Sequence, residues 1–328
     1  MNKLKSISTE LSHKVLLGVF LLIFLRIDLV FTNTLPTGGD MGAHIVPTNF
    51  FVDNLFKNFS LRGWSNDWFA GYPLYYFYFP FPPIIVSLIS FILPFSIAFK
   101  MMVILSQIVL VLSVERLFSL ESKKYSVIGT IAGMVYIFTE SFTIYGGNLA
   151  STLAGQYSFT FSLAFVLLGI YFLKSNNDKS LITSAMFIGF SILSHIIPFM
   201  IFLPYYAYHF LASKRDMSIK ISGFLIFLFI SLRFAYSLIF NLEYTTNMSY
   251  TPYTKISDLI KPDVLPFFIL LVIALITFGI KKFNQQFSLA LYLIIFSISI
   301  FFYGPESALW NGRVVPFFNM GVLLLSFQ

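Results

Sequence analysis

Long uninterrupted apolar runs dominate the chain, as in Val15–Leu25 and Phe224–Ile230. Helices built from such runs can cross ~30 Å of hydrocarbon, because a helix rises ~1.5 Å per residue. Membrane-spanning strands would instead show short segments of alternating polarity. The pattern therefore predicts an all-α, polytopic transmembrane helical bundle that forms a single domain over residues 1–328. Runs long enough to span the membrane number about ten. They are residues 14–33, 100–119, 126–142, 152–173, 180–196, 197–213, 218–240, 263–281, 286–303 and 315–328.

Composition excludes a soluble globular domain. Hydrophobic residues make up 57% of the chain, charged residues 11%, and the mean hydropathy is +0.83, whereas soluble domains carry about 25% charged residues. Cysteine is absent, which rules out disulfides and thiolate metal ligands. The first apolar stretch contains Arg26 and Asp28 and lacks a small-residue cleavage site, so we interpret it as a retained helix and not a signal peptide. The sequence stops at Gln328 within an apolar run, and we expect it to be a truncated form of a longer protein.

The net charge of +7 comes mostly from Lys and Arg in short loops, which is a topology signal and does not indicate nucleic-acid binding. The basic clusters fall on one side of the membrane if residues 77–97 do not cross it fully. This distribution predicts a multi-pass protein of the cell membrane with a cytoplasmic N-terminus. Residues 77–97, rich in Pro and aromatic side chains, would then form a re-entrant or interfacial segment. Residues 34–99 become the first outer loop, which includes juxtamembrane helices.

The first outer loop holds the strongest candidates for chemistry, Asp40 and His44. Gly38 and Gly39 permit tight backbone turns just before them. The i, i+4 spacing places the carboxylate and the imidazole on one face of a helix. The pair is suited to act as a general base with an orienting partner, or to bind a divalent cation as a cofactor. The alternative is structural: Asp40 caps a helix, and His44 faces lipid headgroups.

A second part of the same loop is dense in aromatic and polar side chains, namely Trp64, Asp67, Trp68 and Tyr72. Trp and Tyr faces stack on sugar rings, and Asp can bond sugar hydroxyls. The same aromatic residues are the usual anchors at a membrane interface. Two glycines accompany the cluster, and the density favours a binding surface over simple anchoring.

Charged and polar side chains also interrupt the apolar runs. Arg26 and Asp28 lie near the outer end of the first span, and their spacing suggests that each pairs elsewhere in the protein. Arg233 lies well inside a later span. His195, at the apex of the predicted helix hairpin near Pro198, is at least as suited to a structural role as to a functional one. Arg313 could clamp a phosphate or lie at the interface as a snorkelling side chain.

Several known motifs are missing from the sequence. It has no Walker loop, no dinucleotide glycine fingerprint, no Gly-x-Ser-x-Gly and no His-Glu-x-x-His. These absences argue against an ATP-driven pump and against a soluble-type hydrolase. The sequence also lacks the internal inverted repeat that would indicate a secondary transporter.

The order of these parts resembles a known family. The supporting segments are Trp64-x-x-Asp67-Trp68, Gly71-Tyr-Pro-Leu-Tyr-Tyr-Phe-Tyr-Phe-Pro-Phe-Pro-Pro83, Ser194-His195 and Trp310-Asn-Gly-Arg313-Val-Val-Pro-Phe. They resemble prokaryotic membrane proteins of the 6-pyruvoyl-tetrahydropterin synthase-related family, whose name does not imply pterin chemistry. That family is similar in layout to GT-C-type glycosyltransferases. The resemblance to GT-C enzymes implies a polyprenyl-phosphate sugar donor and an acidic residue in the first outer loop as base or metal ligand. Asp40 is the matching position, although the paired acids of those enzymes are replaced here by Asp40 and His44.

Three functions remain open at this point. The first is a glycosyltransferase that moves a sugar from a polyprenyl-phosphate donor to a glycan or lipid acceptor on the outer face. In it Asp40 and His44 are catalytic, and Trp64, Asp67, Trp68, Tyr72 and Arg313 bind substrate. The second is a transporter or flippase of lipid-linked glycans, with intramembrane charges along a continuous cavity. The third is a non-catalytic scaffold whose loop aromatics contact membrane lipids.

Overall fold

A computed structural model describes residues 14–15, 17–19, 22–67, 69–139, 145–175, 177–244, 250–278, 287–304 and 310–327. The fold is mostly helical over these ranges. In the first half of the chain the elements are α1 (Ile27–Val30), α2 (Met41–Phe50), β1 (Gly63–Ser65), β2 (Tyr72–Leu74), α3 (Phe81–Ser90), α4 (Phe95–Ser119), α5 (Ser126–Ile137), α6 (Leu149–Ser151) and α7 (Tyr157–Lys174). In the second half they are α8 (Asp178–Ser194), α9 (Ile196–Ala212), α10 (Met217–Phe240), α11 (Ile256–Leu259), α12 (Leu265–Phe278), α13 (Phe287–Tyr303) and α14 (Val315–Ser326).

Three helices in the described ranges are long and apolar enough to cross a membrane: Phe95–Ser119, Leu149–Lys174 and Met217–Phe240. The first has 25 residues and the third 24, so each reaches about 36 Å at ~1.5 Å per residue. Shorter apolar helices occur at Phe81–Ser90, Ile196–Ala212 and Ser288–Tyr303. A predominantly helical fold with three helices that could span a membrane is therefore confirmed for the described residues, whereas the count of about ten spans stays a prediction.

The helix Leu149–Lys174 forms the centre of the bundle. Its buried residues Phe159, Leu163, Val166, Leu167 and Ile170 are fully inaccessible, and they recur at the helical spacing of three and four residues. In its most apolar stretch 78% of the residues are buried, against 22% in α10. The central helix is thus enclosed by protein, and α10 lies at the periphery with most of its surface facing outward.

The predicted first span, residues 14–33, is interrupted in the structure. Arg26 adopts a left-handed conformation with φ 47°, and α1 begins only after it. This turn brings the guanidinium of Arg26 to the carboxylate of Asp28, with N–O distances of 2.9 and 2.8 Å. The sequence-based expectation that each charge pairs elsewhere was wrong, because it assumed a continuous helix in which residues two apart point in different directions.

The described part of residues 34–99, the predicted first outer loop, contains helix, turn and strand. The strands β1 and β2 form an antiparallel hairpin in which Gly63 pairs with Leu74 and Ser65 with Tyr72. This hairpin was not expected from a sequence read as wholly helical. The helix α3 has 10 residues, and its length of about 15 Å is half of a ~30 Å hydrocarbon layer. The placement of 77–97 as a re-entrant or interfacial segment stays a prediction.

Candidate functional site

The central helix is kinked at its beginning, and this kink forms one wall of the site. Residues Thr152–Gln156 make a π-helical turn in which Gly155 has φ 110°. A Cβ atom on Gly155 would lie 3.0 Å from the Asp40 Cβ and 3.0 Å from the His44 Cδ2. The kink and the start of α2 therefore touch where a side chain would keep them apart. π-Helical turns often mark functional positions in helices.

Asp40 stands at the N-cap position of α2, but its carboxylate accepts no hydrogen bond from the amides of that helix. Its backbone N–H donates to the Ala154 carbonyl at 2.8 Å, which fixes it against the kink. The side-chain amide of Gln156 donates to Asp40 Oδ2 at 3.4 Å. The structural alternative, in which Asp40 only caps a helix, does not describe this geometry.

His44 lies one turn along α2 from Asp40 and is 9% exposed. Its Nε2 is buried and has no hydrogen-bond partner among the described residues. The ring lies between Tyr78 and Tyr157, at centroid distances of 5.4 and 5.3 Å. Burial lowers the pKa of His44 to about 4, although the charge of Asp40 acts in the opposite direction. The imidazole is therefore neutral at pH 7.

Arg313 reaches the site from the other end of the chain. It lies in the 3-10 turn Asn311–Val314, which Asn311 holds in place by bonding the backbone N–H and carbonyl of Tyr253. One guanidinium nitrogen of Arg313 donates to Gln156 Oε1 at 3.0 Å and to the Tyr145 carbonyl at 3.2 Å. Gln156 thus bridges the guanidinium to Asp40. Within the described ranges, no carboxylate forms an ion pair with Arg313.

These side chains line one cavity of about 440 Å³, a volume typical of small-molecule sites, which span ~300–1,000 Å³. Polar groups and aromatic rings share its surface. The principal members are Asp40, His44, Gln156, His195, Arg313, Phe69, Tyr72, Tyr78, Tyr157 and Tyr250. Another cavity of about 440 Å³, between α8, α9 and α10, is lined by apolar side chains with Lys220. It lacks converging polar groups, so the first cavity is the candidate site.

His195 is the single residue between α8 and α9. Its Nδ1 accepts a hydrogen bond from the Ile197 N–H at 3.2 Å, so the neutral ring carries its proton on Nε2. The ring packs on Phe79 at 4.6 Å and lines the cavity. His195 therefore caps α9 and also lines the candidate cavity.

The structure brings together some of the predicted site residues and leaves others apart. Asp40, His44, Tyr72 and Arg313 share the cavity. Trp64 is 62% exposed, and its indole N–H bonds Asn66 Oδ1 at 3.0 Å. Neither Trp64 nor Asp67 lines the cavity. Trp68 lies outside the described residues.

Sequence reasoning missed Gln156, Tyr157, Tyr78 and Tyr250 as cavity residues. The available signal for Gln156 was a glycine followed by an amide in an otherwise apolar span. A glycine at that place can be read as a kink, and a polar side chain beside it as facing a cavity. The tyrosines carried no such signal, because the chain has 18 of them.

The residues at the site fit a cation poorly. Among the described residues, no group of three or more His, Asp and Glu side chains is placed to hold a metal ion. The positive charge of Arg313, connected to Asp40 through Gln156, also opposes a second cation nearby. The predicted use of Asp40 and His44 as metal ligands stays a prediction.

The central helices of the chain match a known family of membrane proteins. Residues 75–237 match the 6-pyruvoyl-tetrahydropterin synthase related domain, a membrane protein family. The match supports the family predicted from the sequence, over about half of the chain. It includes Gln156 and His195, whereas Asp40, His44 and Arg313 lie outside the matched segment. No curated protein and no solved structure matches the chain.

Proposed function

We propose that this membrane protein is a GT-C-like glycosyltransferase. It transfers a sugar from a polyprenyl-phosphate donor to a glycan or lipid acceptor on the outer membrane face. The observation that carries the proposal is the bridge from Asp40 through Gln156 to Arg313 across one cavity. A base and an anion-binding group then face the same space, which is what a displacement with a phosphate leaving group requires.

The proposed reaction is a single displacement with inversion. Asp40 takes the proton of an acceptor hydroxyl, and that oxygen forms a bond to the anomeric carbon of the donor sugar. The bond from the anomeric carbon to the phosphate oxygen breaks, and its electron pair leaves with the lipid phosphate. Arg313 stabilises the charge on that phosphate, because its guanidinium bonds only neutral acceptors within the described ranges.

The remaining cavity side chains suit a sugar. Tyr72 and Tyr250 provide ring faces on which an apolar sugar face can stack. His44 and His195 line the same cavity, and an imidazole nitrogen can bond a sugar hydroxyl. In this proposal His44 binds substrate beside the base. Gln156, not His44, contacts the Asp40 carboxylate.

The proposed topology follows from the charge distribution. The protein is multi-pass with about ten spans, its N-terminus is cytoplasmic, and the loop over residues 34–99 faces outward. The transporter alternative has less support, because Arg26 and Asp28 pair with each other and do not line the candidate cavity. The scaffold alternative is weakened by the position of Tyr72 and Tyr78, which line the same cavity as Asp40.

The test compares two aspartates of the outer loop. Asp40→Asn keeps the shape of the side chain and removes the base. Asp53→Asn is the matched control, because Asp53 is exposed, pairs with Lys57 at 3.1 Å and lies outside the cavity. Membranes containing each variant are supplied with radiolabelled polyprenyl-phosphate sugars, and transfer to endogenous acceptor is measured. We expect Asp40→Asn to lose transfer and Asp53→Asn to retain it. Equal transfer by wild type and Asp40→Asn would refute the assignment of the base.

A further inference from the structure

Two arginines line a third, smaller cavity that the proposed reaction does not use. Arg62 precedes β1 in the outer loop, and Arg233 lies on α10, about two helical turns before that helix ends at Phe240. Both line a cavity of about 30 Å³, together with Tyr75, Phe234 and Ser237. The two residues are 171 positions apart in the sequence, so only the fold brings them to one cavity.

The charges at this cavity are unbalanced. No described residue that lines it is acidic. Arg62 is held by a hydrogen bond to Ser237 Oγ and by the ring of Tyr76, 4.8 Å from its guanidinium carbon. Arg233 is exposed and forms no ion pair with a described carboxylate. Two positive charges at one cavity repel each other, and a bound anion would remove that cost.

The size of the cavity limits what can enter. A volume of about 30 Å³ holds only a few water-sized groups, since one such group needs roughly 10–15 Å³. Phosphate oxygens can enter such a space, whereas a sugar ring cannot. Arginine forks match phosphate oxygens geometrically and bond them in pairs.

The surroundings identify the source of the phosphate. Most of the surface of α10 faces outward, since only 22% of the residues in its most apolar stretch are buried. Arg233 therefore faces the lipid side of the bundle, where a long basic side chain extends toward the headgroup layer. Phospholipid phosphates lie at that level, and an anionic headgroup adds a favourable charge.

We propose that Arg62 and Arg233 form a binding site for the headgroup phosphate of an anionic phospholipid. This site is separate from the candidate cavity, although Tyr75 lines both. It does not depend on the proposed glycosyl transfer. A bound lipid would hold the outer loop, through Arg62, against α10.

The experiment measures binding of phosphatidylglycerol to the full chain, purified in a neutral detergent, by native mass spectrometry. We expect Arg233→Gln to weaken binding about tenfold or more, as for loss of a charged hydrogen bond. Arg62→Gln should have a similar effect. Arg233→Gln is the more informative variant, because Arg233 has no hydrogen bond to a described residue that its loss could disturb. Arg116→Gln, an exposed arginine at the far end of α4, is the matched control and should bind like wild type.

Two further arms distinguish the sources of the phosphate and the two proposals. Inorganic phosphate at millimolar concentration should compete poorly with phosphatidylglycerol, and full displacement by it would overturn the lipid assignment. Equal phosphatidylglycerol binding by wild type and Arg233→Gln would overturn the site itself. Asp40→Asn should leave phosphatidylglycerol binding unchanged, so a failure of the transferase proposal is recognised separately.

Discussion

Three neighbouring glycines allow the packing of the outer loop against the central helix to be tested one interaction at a time. Gly39 has φ +51°, and an added Cβ would lie 2.5 Å from the Ala154 carbonyl oxygen and 2.8 Å from the Ala154 Cα. Both are backbone atoms, which cannot rotate away. The 2.5 Å contact is about 0.9 Å inside the 3.4 Å at which ordinary contact begins. Gly39→Ala must therefore push the two segments apart at Asp40.

The neighbouring glycines separate the causes. Gly38 has φ +103° and no atom within 4 Å of an added Cβ, so Gly38→Ala incurs backbone strain alone, about 1–3 kcal/mol. Gly42 lies in α2 with the same open space and no positive φ. Gly42→Ala should be neutral or should stabilise by roughly 0.5–1 kcal/mol. Gly39→Ala combines backbone strain with the clash. It also breaks the hydrogen bond from the Asp40 N–H to the Ala154 carbonyl, which is worth about 1 kcal/mol net.

The assay is thermal unfolding of each variant in detergent, together with transfer activity. We expect the order of stability to be Gly42→Ala, wild type, Gly38→Ala and then Gly39→Ala. At roughly 2 °C per kcal/mol for a chain of this size, the last two should differ by at least 2 °C. A displacement near 1 Å at a catalytic group can reduce turnover about 100-fold, so Gly39→Ala should lose far more activity than Gly38→Ala. Equal stability and activity of these two variants would refute the packing described here.

Two histidines provide further predictions. Because burial holds the pKa of His44 at about 4 against an ordinary value of 6.5, the folded state favours the neutral ring. The resulting stability is complete above pH 6.5 and is lost as the pH falls toward 4, to a total of about 3 kcal/mol. The melting temperature of His44→Gln should therefore fall less than that of wild type when the pH is lowered from 7 to 4.5. Parallel curves of melting temperature against pH for the two proteins would contradict the burial argument. At His195, whose Nδ1 caps α9, Asn keeps an acceptor for the Ile197 amide and Ala does not. In thermal unfolding, His195→Asn should be more stable than His195→Ala by about 1 kcal/mol. Equal melting temperatures of the two variants would show that this cap does not stabilise α9.

The sequence predicted the helices well because burial in lipid leaves a strong local signal. A long apolar run without charges can only be a spanning or buried helix, and most predicted spans coincide with helices such as Phe95–Ser119 and Met217–Phe240. The i, i+4 spacing of Asp40 and His44 likewise fixed their common face, since one turn of helix determines it. These properties depend on neighbours within a few residues.

Other features escaped sequence reasoning because they depend on a single backbone angle. The left-handed turn at Arg26 cannot be read from an apolar run, yet it decides that Arg26 pairs with Asp28. The positive φ of Gly155 decides that the central helix bends toward α2. Hydropathy marks neither angle: Arg26 is not a glycine, and Gly155 is one of 18 glycines, so only the amide beside it suggested a kink.

The sequence by itself determined that the protein is helical and resides in a membrane, because transfer of apolar side chains from water to lipid depends only on what those side chains are. Tertiary structure decided which polar groups meet. Gln156 connects Asp40 to Arg313, and Arg62 shares a cavity with Arg233. Such meetings join residues more than a hundred positions apart. They arise from the packing of helices against one another, which no local pattern of hydrophobic and polar positions specifies.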